Sequence, residues 1–250
     1  MSTAPSKEAL KRRLDRYFWA NNTGEMEFLH QVLEANFNGF ERVAVIGGLV
    51  RDFAHGGRMS FRSDLDLVID APKESVAALA STLRATANRF GGFGCRQGPW
   101  KIDFWALETT WARRYVPLHS LEDIVSSTFF DWDAAAYDLK RKKLICSDDY
   151  LTRIRSRTLD VNLLRNPSPL GNLLRAVRRL MIWRVQAGPL LKAFIDQHLD
   201  DESLGVIQLK ELELYPVAVS MRWATASDAK DDLFLEGRAS LEKQIELRLD

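Results

Sequence analysis

The chain has 250 residues, of which 46% are hydrophobic and 28% are charged, and its formal net charge is +1. This composition excludes a disordered chain and is typical of a globular protein with one large domain or two small ones. The N-terminal stretch is charged and no window approaches 18 uncharged apolar residues, so we expect no secretory signal, no membrane partner and a cytoplasmic location. Cys95 and Cys146 lack the close spacing of a metal-binding pair, which leaves no support for a zinc site or a disulfide framework.

The charge is unevenly distributed along the chain. Residues 140–184 contain twelve lysines and arginines against three aspartates and glutamates, whereas the flanking regions are acidic overall. A basic middle between acidic flanks predicts a local surface for a polyanion and no general affinity for nucleic acid. The alternative is a solvated helix face without a ligand.

The chain begins with two predicted amphipathic helices, one within residues 6–19 and one over residues 25–36. The stretch from 42 to 46 is β-branched and largely apolar, stops at Gly47 and Gly48, and is followed by LVRDFAHG, which predicts a strand, a tight turn and a short helix. Such a turn exposes backbone amides at a helix start, where the helix dipole and the glycines favour an approaching phosphate.

In the segment SDLDLVID, two aspartates alternate with leucines at 64–67. Asp64 and Asp66 therefore lie on one face of a predicted strand, with Leu65 and Leu67 on the other. Two residues of strand separate the carboxylates by roughly 6.6 Å, a spacing that one or two divalent cations can bridge. Without a cation their repulsion is about 2.5 kcal/mol at an effective dielectric near 20. The alternative is a pair of solvated charges on an open strand face.

Further strands and helices follow. Pro72 opens a predicted helix that Gly91 and Gly92 end. GFGCRQGPW at 92–100 predicts a turn-rich approach to a hairpin, and KIDFWAL predicts a strand on which Asp103 alternates with apolar residues. A helix is predicted over 120–128 and a hairpin around the basic turn at 140–143. The remaining predicted elements are helices over 168–188, 189–200, 203–214 and 232–249, which form a small bundle.

The combination of GGLVRD at 47–52 with DLD at 64–66 resembles the nucleotidyltransferase superfamily, specifically the head domain of bacterial-type poly(A) polymerases and CCA-adding enzymes. The resemblance covers about residues 47–184. It implies an α/β (α+β) fold, with a catalytic head at 1–150 built on a mixed β-sheet flanked by helices. A small all-helical neck and body domain would follow at 151–250.

The resemblance also implies roles for individual residues. Asp64, Asp66 and Asp103 would bind Mg²⁺, with Mn²⁺ as a substitute, and Asp103 would accept the proton of an attacking hydroxyl. Residues that would contact the NTP or support its site are Gly47, Gly48, Arg51, Asp52, Asp133, Arg175 and Arg178. We expect Arg51 to orient Asp64 or Asp52 through a bidentate pair.

Two departures from the family pattern concern nucleotide recognition. TFFDWDAAAYDL lies where CCA-adding enzymes carry RRDFTxNAxAYD, so the double arginine is absent and Asp133 replaces the nucleotide-binding asparagine. The chain also contains no EDxxR, the arrangement with which that family reads the incoming base. We therefore expect nucleotide addition of a single type or of poor selectivity.

Three functions are consistent with these residues. The first is metal-dependent transfer of a nucleoside monophosphate from an NTP to RNA or tRNA. The second keeps this chemistry but uses a protein side chain or a small molecule as acceptor, as in toxin-like or antibiotic-modifying members of the superfamily. The third is a non-catalytic nucleotide or nucleic-acid binder, which the altered motif around Asp133 favours and the three intact carboxylates oppose.

Overall fold

The computed structural model of the protein describes residues 3–20, 23–56 and 64–234. The chain divides into two compact units, Met1–Arg155 and Ser156–Asp250. Residues 57–63, between the two sequence motifs, and the part of the predicted C-terminal helix beyond residue 234 lie outside the described residues. Among the described helices, none combines the length and the apolar character that crossing a membrane requires.

The helices of the first unit include both of those predicted at the start of the chain. Their bounds are α1 (Lys7–Trp19), α2 (Gly24–Phe37), α3 (Gly48–His55), α4 (Lys73–Thr82) and α5 (Tyr150–Arg155). The hydroxyl of Ser6 caps α1 by accepting a hydrogen bond from the amide of Ala9 at 3.2 Å. Where the sequence predicted an α-helix over 120–128, the structure has the tighter 3₁₀ helix Leu121–Ser127.

The strands of the first unit form one mixed sheet in the order β3-β4-β5-β2-β1-β6-β7. Their bounds are β1 (Val43–Ile46), β2 (Leu65–Ile69), β3 (Thr86–Ala87), β4 (Phe93–Gln97), β5 (Trp100–Ala106), β6 (Ala135–Asp138) and β7 (Lys143–Cys146). β2 and β5 run parallel, and the other neighbouring strands run antiparallel. The predicted hairpin around 140–143 is confirmed as the pair β6 and β7.

The two faces of the sheet are covered by different parts of the chain. On one face, Phe18 of α1 stacks on Tyr137 of β6, and Phe37 of α2 meets Phe104 of β5 edge to face. On the other face, strand residues pack against the segment that follows β5 along the chain. That cluster consists of Ala44, Ile46, Val68, Leu107, Leu118, Leu121, Ile124, Ala136 and Ile145. Because side chains alternate along a strand, Asp64 and Asp66 share the face of Val68.

The segment between α4 and β5 differs from its prediction. The helix was expected to continue to Gly91, but α4 ends at Thr82 and the backbone turns at Arg84, whose φ is +51°. Ala87 then pairs with Phe93, so that β3 and β4 extend the sheet where a turn-rich approach was predicted. Burial of Phe93 against Phe104, whose ring centroids are 5.8 Å apart, stabilises a strand at this position.

The second unit is mainly helical, with α6 (Pro169–Trp183), α7 (Pro189–His198) and α8 (Asp201–Leu214). Residues 226–234 are also helical. The domain was predicted to be all-helical, but it also contains a short parallel pair, β8 (Thr158–Leu159) and β9 (Gln186–Ala187). Directly after β8, the carboxylate of Asp160 accepts a hydrogen bond from the amide of Leu191 at 2.8 Å. This bond satisfies a donor at the start of α7 that has no partner within the helix.

A buried ion network joins distant parts of the first unit. Arg42 is 7% exposed, and its guanidinium donates to both carboxylate oxygens of Glu122 at 2.8 and 2.9 Å. It also donates to Oδ2 of the fully buried Asp138 at 2.9 and 3.0 Å. Oδ1 of Asp138 accepts from the amides of Lys140 and Arg141, both at 3.0 Å, so its buried charge is well satisfied.

The exchange Glu122→Gln should destabilise the protein at pH 7, and this destabilisation should become smaller in acid. The Arg42 guanidinium lowers the pKa of Glu122 from 4.5 to about 2. A carboxylate with a depressed folded pKa stabilises the fold above its unfolded pKa and loses that contribution as the pH falls through the folded value. The difference in free energy of unfolding between wild type and variant, measured by urea titration, should therefore shrink as the pH falls from 4.5 towards 2.

The matched control is Glu41→Gln, because the Glu41 side chain is 87% exposed and lies 3.8 Å from Arg141. That variant should differ little from wild type at any pH, since exposed pairs contribute about 0 to 1 kcal/mol. A Glu122→Gln difference that is equal at pH 7 and pH 3 would contradict the ionic role.

Candidate active site

The Gly47 turn has a backbone conformation that suits glycine alone. Gly47 has φ +72° and ψ −120°, ends β1 and forms the cap of α3. Its amide donates to the carbonyl of Ala135 at 3.1 Å, and its carbonyl accepts from the amide of Arg51 at 2.9 Å. Among the described residues, no heavy atom lies within 4 Å of a Cβ built on Gly47. The turn therefore leaves open space beside the first amides of α3, which Gly48 begins.

The three candidate carboxylates lie on one face of the sheet. The strand predicted to carry Asp64 and Asp66 is confirmed as β2, which begins at Leu65, so that Asp64 lies directly before it. Leu65 and Leu67 are fully buried. Asp66 pairs with Asp103 in the parallel register of β2 and β5. Since Asp64 precedes Asp66 by two residues, all three side chains project from the same face, beyond the apolar cluster that contains Val68.

The Gly47 turn and the carboxylates lie at the same end of the sheet. β1 pairs antiparallel with β2, with Val45 opposite Leu67. This pairing ends at Val45 and Leu67, so Gly47, two residues further along, and Asp64, three residues before Leu67, both lie beyond the same end of the strand pair. The expected phosphate-binding turn and the acidic residues are therefore neighbours across one strand pair.

A lysine that the sequence analysis did not single out lies among the carboxylates. The ammonium of Lys101 donates a short hydrogen bond to Oδ2 of Asp64 and lies 3.8 Å from Oδ2 of Asp103. This hydrogen bond raises the pKa of Lys101, burial opposes the shift, and the charges of Asp64, Asp103 and Asp66 add to it. Lys101 precedes Asp103 by two residues on β5, and this spacing was the available signal.

Of the two carboxylates that contact Lys101, Asp103 is the more buried, with its side chain 29% exposed against 44% for Asp64. Burial raises the pKa of Asp103, Lys101 opposes that shift and Asp64 adds to it. On the neighbouring strand β4, Gly94 pairs with Asp103, and a Cβ at Gly94 would lie 2.5 Å from Oδ1 of Asp103. A side chain at position 94 would therefore displace the carboxylate, a constraint visible only once the register of β4 and β5 is known.

The residue types in this site fit a magnesium ion held jointly with a substrate. Within residues 3–20, 23–56 and 64–234, no group of three or more histidine, cysteine, aspartate and glutamate side chains converges to form a ready-made metal site. Mg²⁺ seldom requires one, because it retains several waters and is bound by one or two carboxylates plus phosphate oxygens. The Lys101 ammonium shows that Asp64 and Asp103 already accept a cation between them.

Arg51 is buried and links the two sequence motifs. Its Nε and Nη2 donate to Oδ1 of Asp52 at 3.0 and 2.7 Å, and its Nη1 donates to Oδ1 of Asp133 at 2.6 Å. Of the two partners expected for Arg51, Asp64 and Asp52, these bonds favour Asp52. The substituted position in the second motif thus carries an ion pair, and nucleotide binding by Arg51, Asp52 and Asp133 stays a prediction.

The two arginines predicted on α6 have different surroundings within the second unit. Arg178 is bonded to the buried carboxylate of Glu211, donates to the carbonyl of Val217 at 2.7 Å and stacks on the ring of Tyr215 at 3.7 Å. Arg175 is exposed, and its Nη1 lies 3.4 Å from Oδ1 of Asn172. These contacts give Arg178 a structural role, and nucleotide binding by either arginine stays a prediction.

Solved structures identify the class of fold. The structure is similar to that of a CCA-adding enzyme in complex with ATP, with a TM-score of 0.57 and 18% sequence identity over 84% of this chain and 52% of that one. It is also similar to a CCA-adding enzyme in complex with CTP, with a TM-score of 0.56 and 19% identity over 89% and 54% of the two chains. No protein-family model matches the chain, and no curated protein matches it.

These similarities define a nucleotidyltransferase-like head domain, which confirms at the level of the fold the resemblance carried by GGLVRD and DLD. The chain spans about half the length of the solved chains that it matches. At 18% and 19% identity, the chain shares the fold with these solved structures, and one fold can carry many functions.

The exchange Gly47→Ala should destabilise the protein by about 1 to 3 kcal/mol, because an alanine would be held in a sparsely populated backbone region. A steric clash cannot be the cause, since no described neighbour beyond the adjacent residues lies within 4 Å of the new Cβ. Gly39→Ala is the matched control, because its Cβ also meets nothing and its φ is not positive. Equal free energies of unfolding for the two variants in urea titrations would contradict the argument.

Proposed function

We propose that this protein is a nucleotidyltransferase that transfers a nucleoside monophosphate from an NTP to a nucleic-acid acceptor, with RNA or the 3′ end of a tRNA as the favoured class. One observation carries the proposal: Asp66 and Asp103 are in register on neighbouring parallel strands, with Asp64 on the same face. The shared fold of the CCA-adding enzymes supports this assignment.

The triphosphate would bind at the Gly47 turn. The open space beside Gly47 gives phosphate oxygens room to approach the backbone. The first amides of α3 offer hydrogen-bond donors there, and the helix dipole is positive at that end. Arg51 would hold this turn in place through Asp52 and Asp133 without itself contacting the reacting atoms. The turn lies opposite the start of β2, so a bound triphosphate would extend towards Asp64 and Asp66.

The chemical step needs a proton acceptor and neutralisation of charge. The hydroxyl oxygen of the acceptor attacks the α-phosphorus, a new phosphorus–oxygen bond forms, the bond to the β-phosphate oxygen breaks, and pyrophosphate leaves. Asp103 takes the hydroxyl proton, a role that its raised pKa favours. Asp64, Asp66 and Asp103 would hold Mg²⁺ or Mn²⁺, which when bound neutralises developing charge and activates the hydroxyl.

Basic residues at 140–143 support a nucleic-acid acceptor over a small neutral one. The side chains of Arg141 and Lys143 are 52% and 57% exposed, and their ion pairs with Glu41 and Glu122 are 3.8 and 3.5 Å long. Exposed pairs of this length are weak, so phosphate groups can replace them. Lys142 lies 4.8 Å from the centre of the Trp19 ring, which is 41% exposed and also stacks with His30.

The exchange Asp66→Asn should reduce nucleotide transfer by on the order of 100-fold or more, because it removes a charged metal ligand. Stability should be unchanged or slightly higher, since like-charge repulsion is relieved. The assay incubates the protein with Mg²⁺, each labelled NTP in turn and total RNA, and separates labelled RNA from labelled protein and small molecules.

Asp148→Asn is the matched control, because the Asp148 side chain is fully exposed and pairs with Lys7 away from the strands of the site. That variant should transfer at the wild-type rate. Near-normal transfer by Asp66→Asn would refute the assignment of the site. Label on protein or on a small molecule would change the acceptor class, and NTP binding without any transfer would favour a non-catalytic binder.

Replacing Lys140, Arg141, Lys142 and Lys143 by serine should weaken RNA binding and flatten its salt dependence. Each lost phosphate contact reduces the slope of log K against log salt by about 0.7 to 0.9. NTP binding should be retained, because the turn is not part of the proposed triphosphate site. Replacing the exposed Arg113 and Arg114 by serine serves as the control, and an unchanged slope in the fourfold variant would identify the basic turn as solvated surface.

A further inference from the structure

The cluster of Asp64, Asp66 and Asp103 contains more negative charge than Lys101 can neutralise. The Lys101 ammonium is shared between Asp64 and Asp103, while Asp66 lies directly opposite Asp103 on the same sheet face. One ammonium carries one positive charge against these three carboxylates, at the place where the proposed function needs a divalent cation. The site is therefore arranged for a cation of higher charge than lysine supplies.

We propose that Lys101 is an internal counter-cation that occupies the carboxylate site in the ligand-free protein and leaves it when a divalent cation binds. This inference rests on the proposed function, because it concerns the same carboxylates. It adds a residue that the sequence motifs do not contain and assigns it to the resting state.

The position of Lys101 favours displacement over permanent pairing. Its side chain is 52% exposed and that of Asp64 is 44% exposed, so both can be resolvated at little cost. A lysine ammonium is a mobile point charge on a flexible stem, unlike the rigid fork of a buried arginine such as Arg51. Exposed lysine–carboxylate pairs contribute little to stability, so the pair can be broken when a divalent cation binds.

The counter-cation also explains how the ligand-free site avoids self-repulsion. Asp66 and Asp103 are direct neighbours across parallel strands, and Asp64 is one strand repeat from Asp66. Lys101 projects from the same face of β5 as Asp103, two residues away, and thus reaches the cluster without any change in the backbone. Removing this ammonium should make the fold sensitive to divalent cations.

The test compares wild type, Lys101→Met and Lys101→Arg in the full chain without any nucleotide. Mn²⁺ alone is the probe, and free Mn²⁺ is measured by electron paramagnetic resonance during titration. Lys101→Met should bind Mn²⁺ about threefold to tenfold more tightly than wild type, because the competing ammonium and its ion pairs are gone. Lys101→Arg keeps the charge and should bind no more tightly than wild type.

Thermal unfolding provides a second measurement that is independent of activity. In EDTA, Lys101→Met should unfold at a lower temperature than wild type, and Mn²⁺ should raise its midpoint more than that of wild type. Lys73→Met is the matched control, because Lys73 is an exposed lysine on α4 that lies 3.9 Å from Glu74. It should match wild type in both measurements.

The outcomes separate this inference from the proposed function. If wild type and Lys101→Met bind Mn²⁺ equally, or if the variant binds more weakly, Lys101 is not a competing cation and the inference is refuted while the metal site stands. If none of the proteins binds Mn²⁺ without nucleotide, Lys101 has no metal ion to compete with and the inference is refuted, while the metal assignment, in which phosphate oxygens share the ion, is decided by the transfer assay of Asp66→Asn. Tighter binding by Lys101→Met, lost again in Lys101→Met combined with Asp66→Asn, supports both.

Discussion

The parallel pairing of β2 and β5 determines where the acidic side chains lie. Because side chains alternate along a strand, a shift of one residue in this register would turn Asp103 towards the opposite face, away from Asp66. Parallel neighbours cannot be joined by a tight turn, and residues 70–99 provide the crossover, with α4 followed by β3 and β4. The same crossover places Gly94 against Asp103, so the connection that permits the register also shapes the space around the carboxylate.

Two arginine–aspartate pairs hold the strands next to this register. β1 and β6 are antiparallel neighbours, and Arg42 meets Asp138 at one end of the pair while Arg51 meets Asp133 at the other. Breaking a buried pair by removing one partner leaves an uncompensated charge, which costs about 3 to 5 kcal/mol, so a slipped β1–β6 register would be strongly disfavoured. This arrangement gives Asp133 a physical reason to be an aspartate: a neutral asparagine would leave part of the Arg51 charge without a counter-ion.

Local pattern predicted the elements that carry the site, and pairing between distant residues decided the rest. Strict alternation identified β2 and β5, and the glycine interruption identified the Gly47 turn. The end of α4 was missed because its apolar spacing continues into Ala87, which the sheet recruits as an edge strand. The pairing of Arg51 with Asp133 joins residues 82 positions apart, and no local pattern reveals such a contact. The two-residue spacing places Lys101 on the same face as Asp103, but only the register of β2 and β5 shows that the lysine also reaches Asp64.

The structure separates the chemistry of the proposed reaction from its selectivity. Asp66 and Asp103 lie on β2 and β5, and the Gly47 turn joins β1 to α3. These regular elements give the groups proposed for the chemistry a rigid support. Reading a base instead needs polar groups that are left unpaired when the wrong base binds. Here Asp133 is engaged by Arg51, and Arg178 is engaged by Glu211, Val217 and Tyr215 within its own unit. Groups already satisfied by the protein lose little when the wrong base is present, so they discriminate weakly between bases. Within the proposed function, the carboxylates and the Gly47 turn therefore support the chemistry of transfer, whereas Asp133 and Arg178 add little to selection among nucleotides.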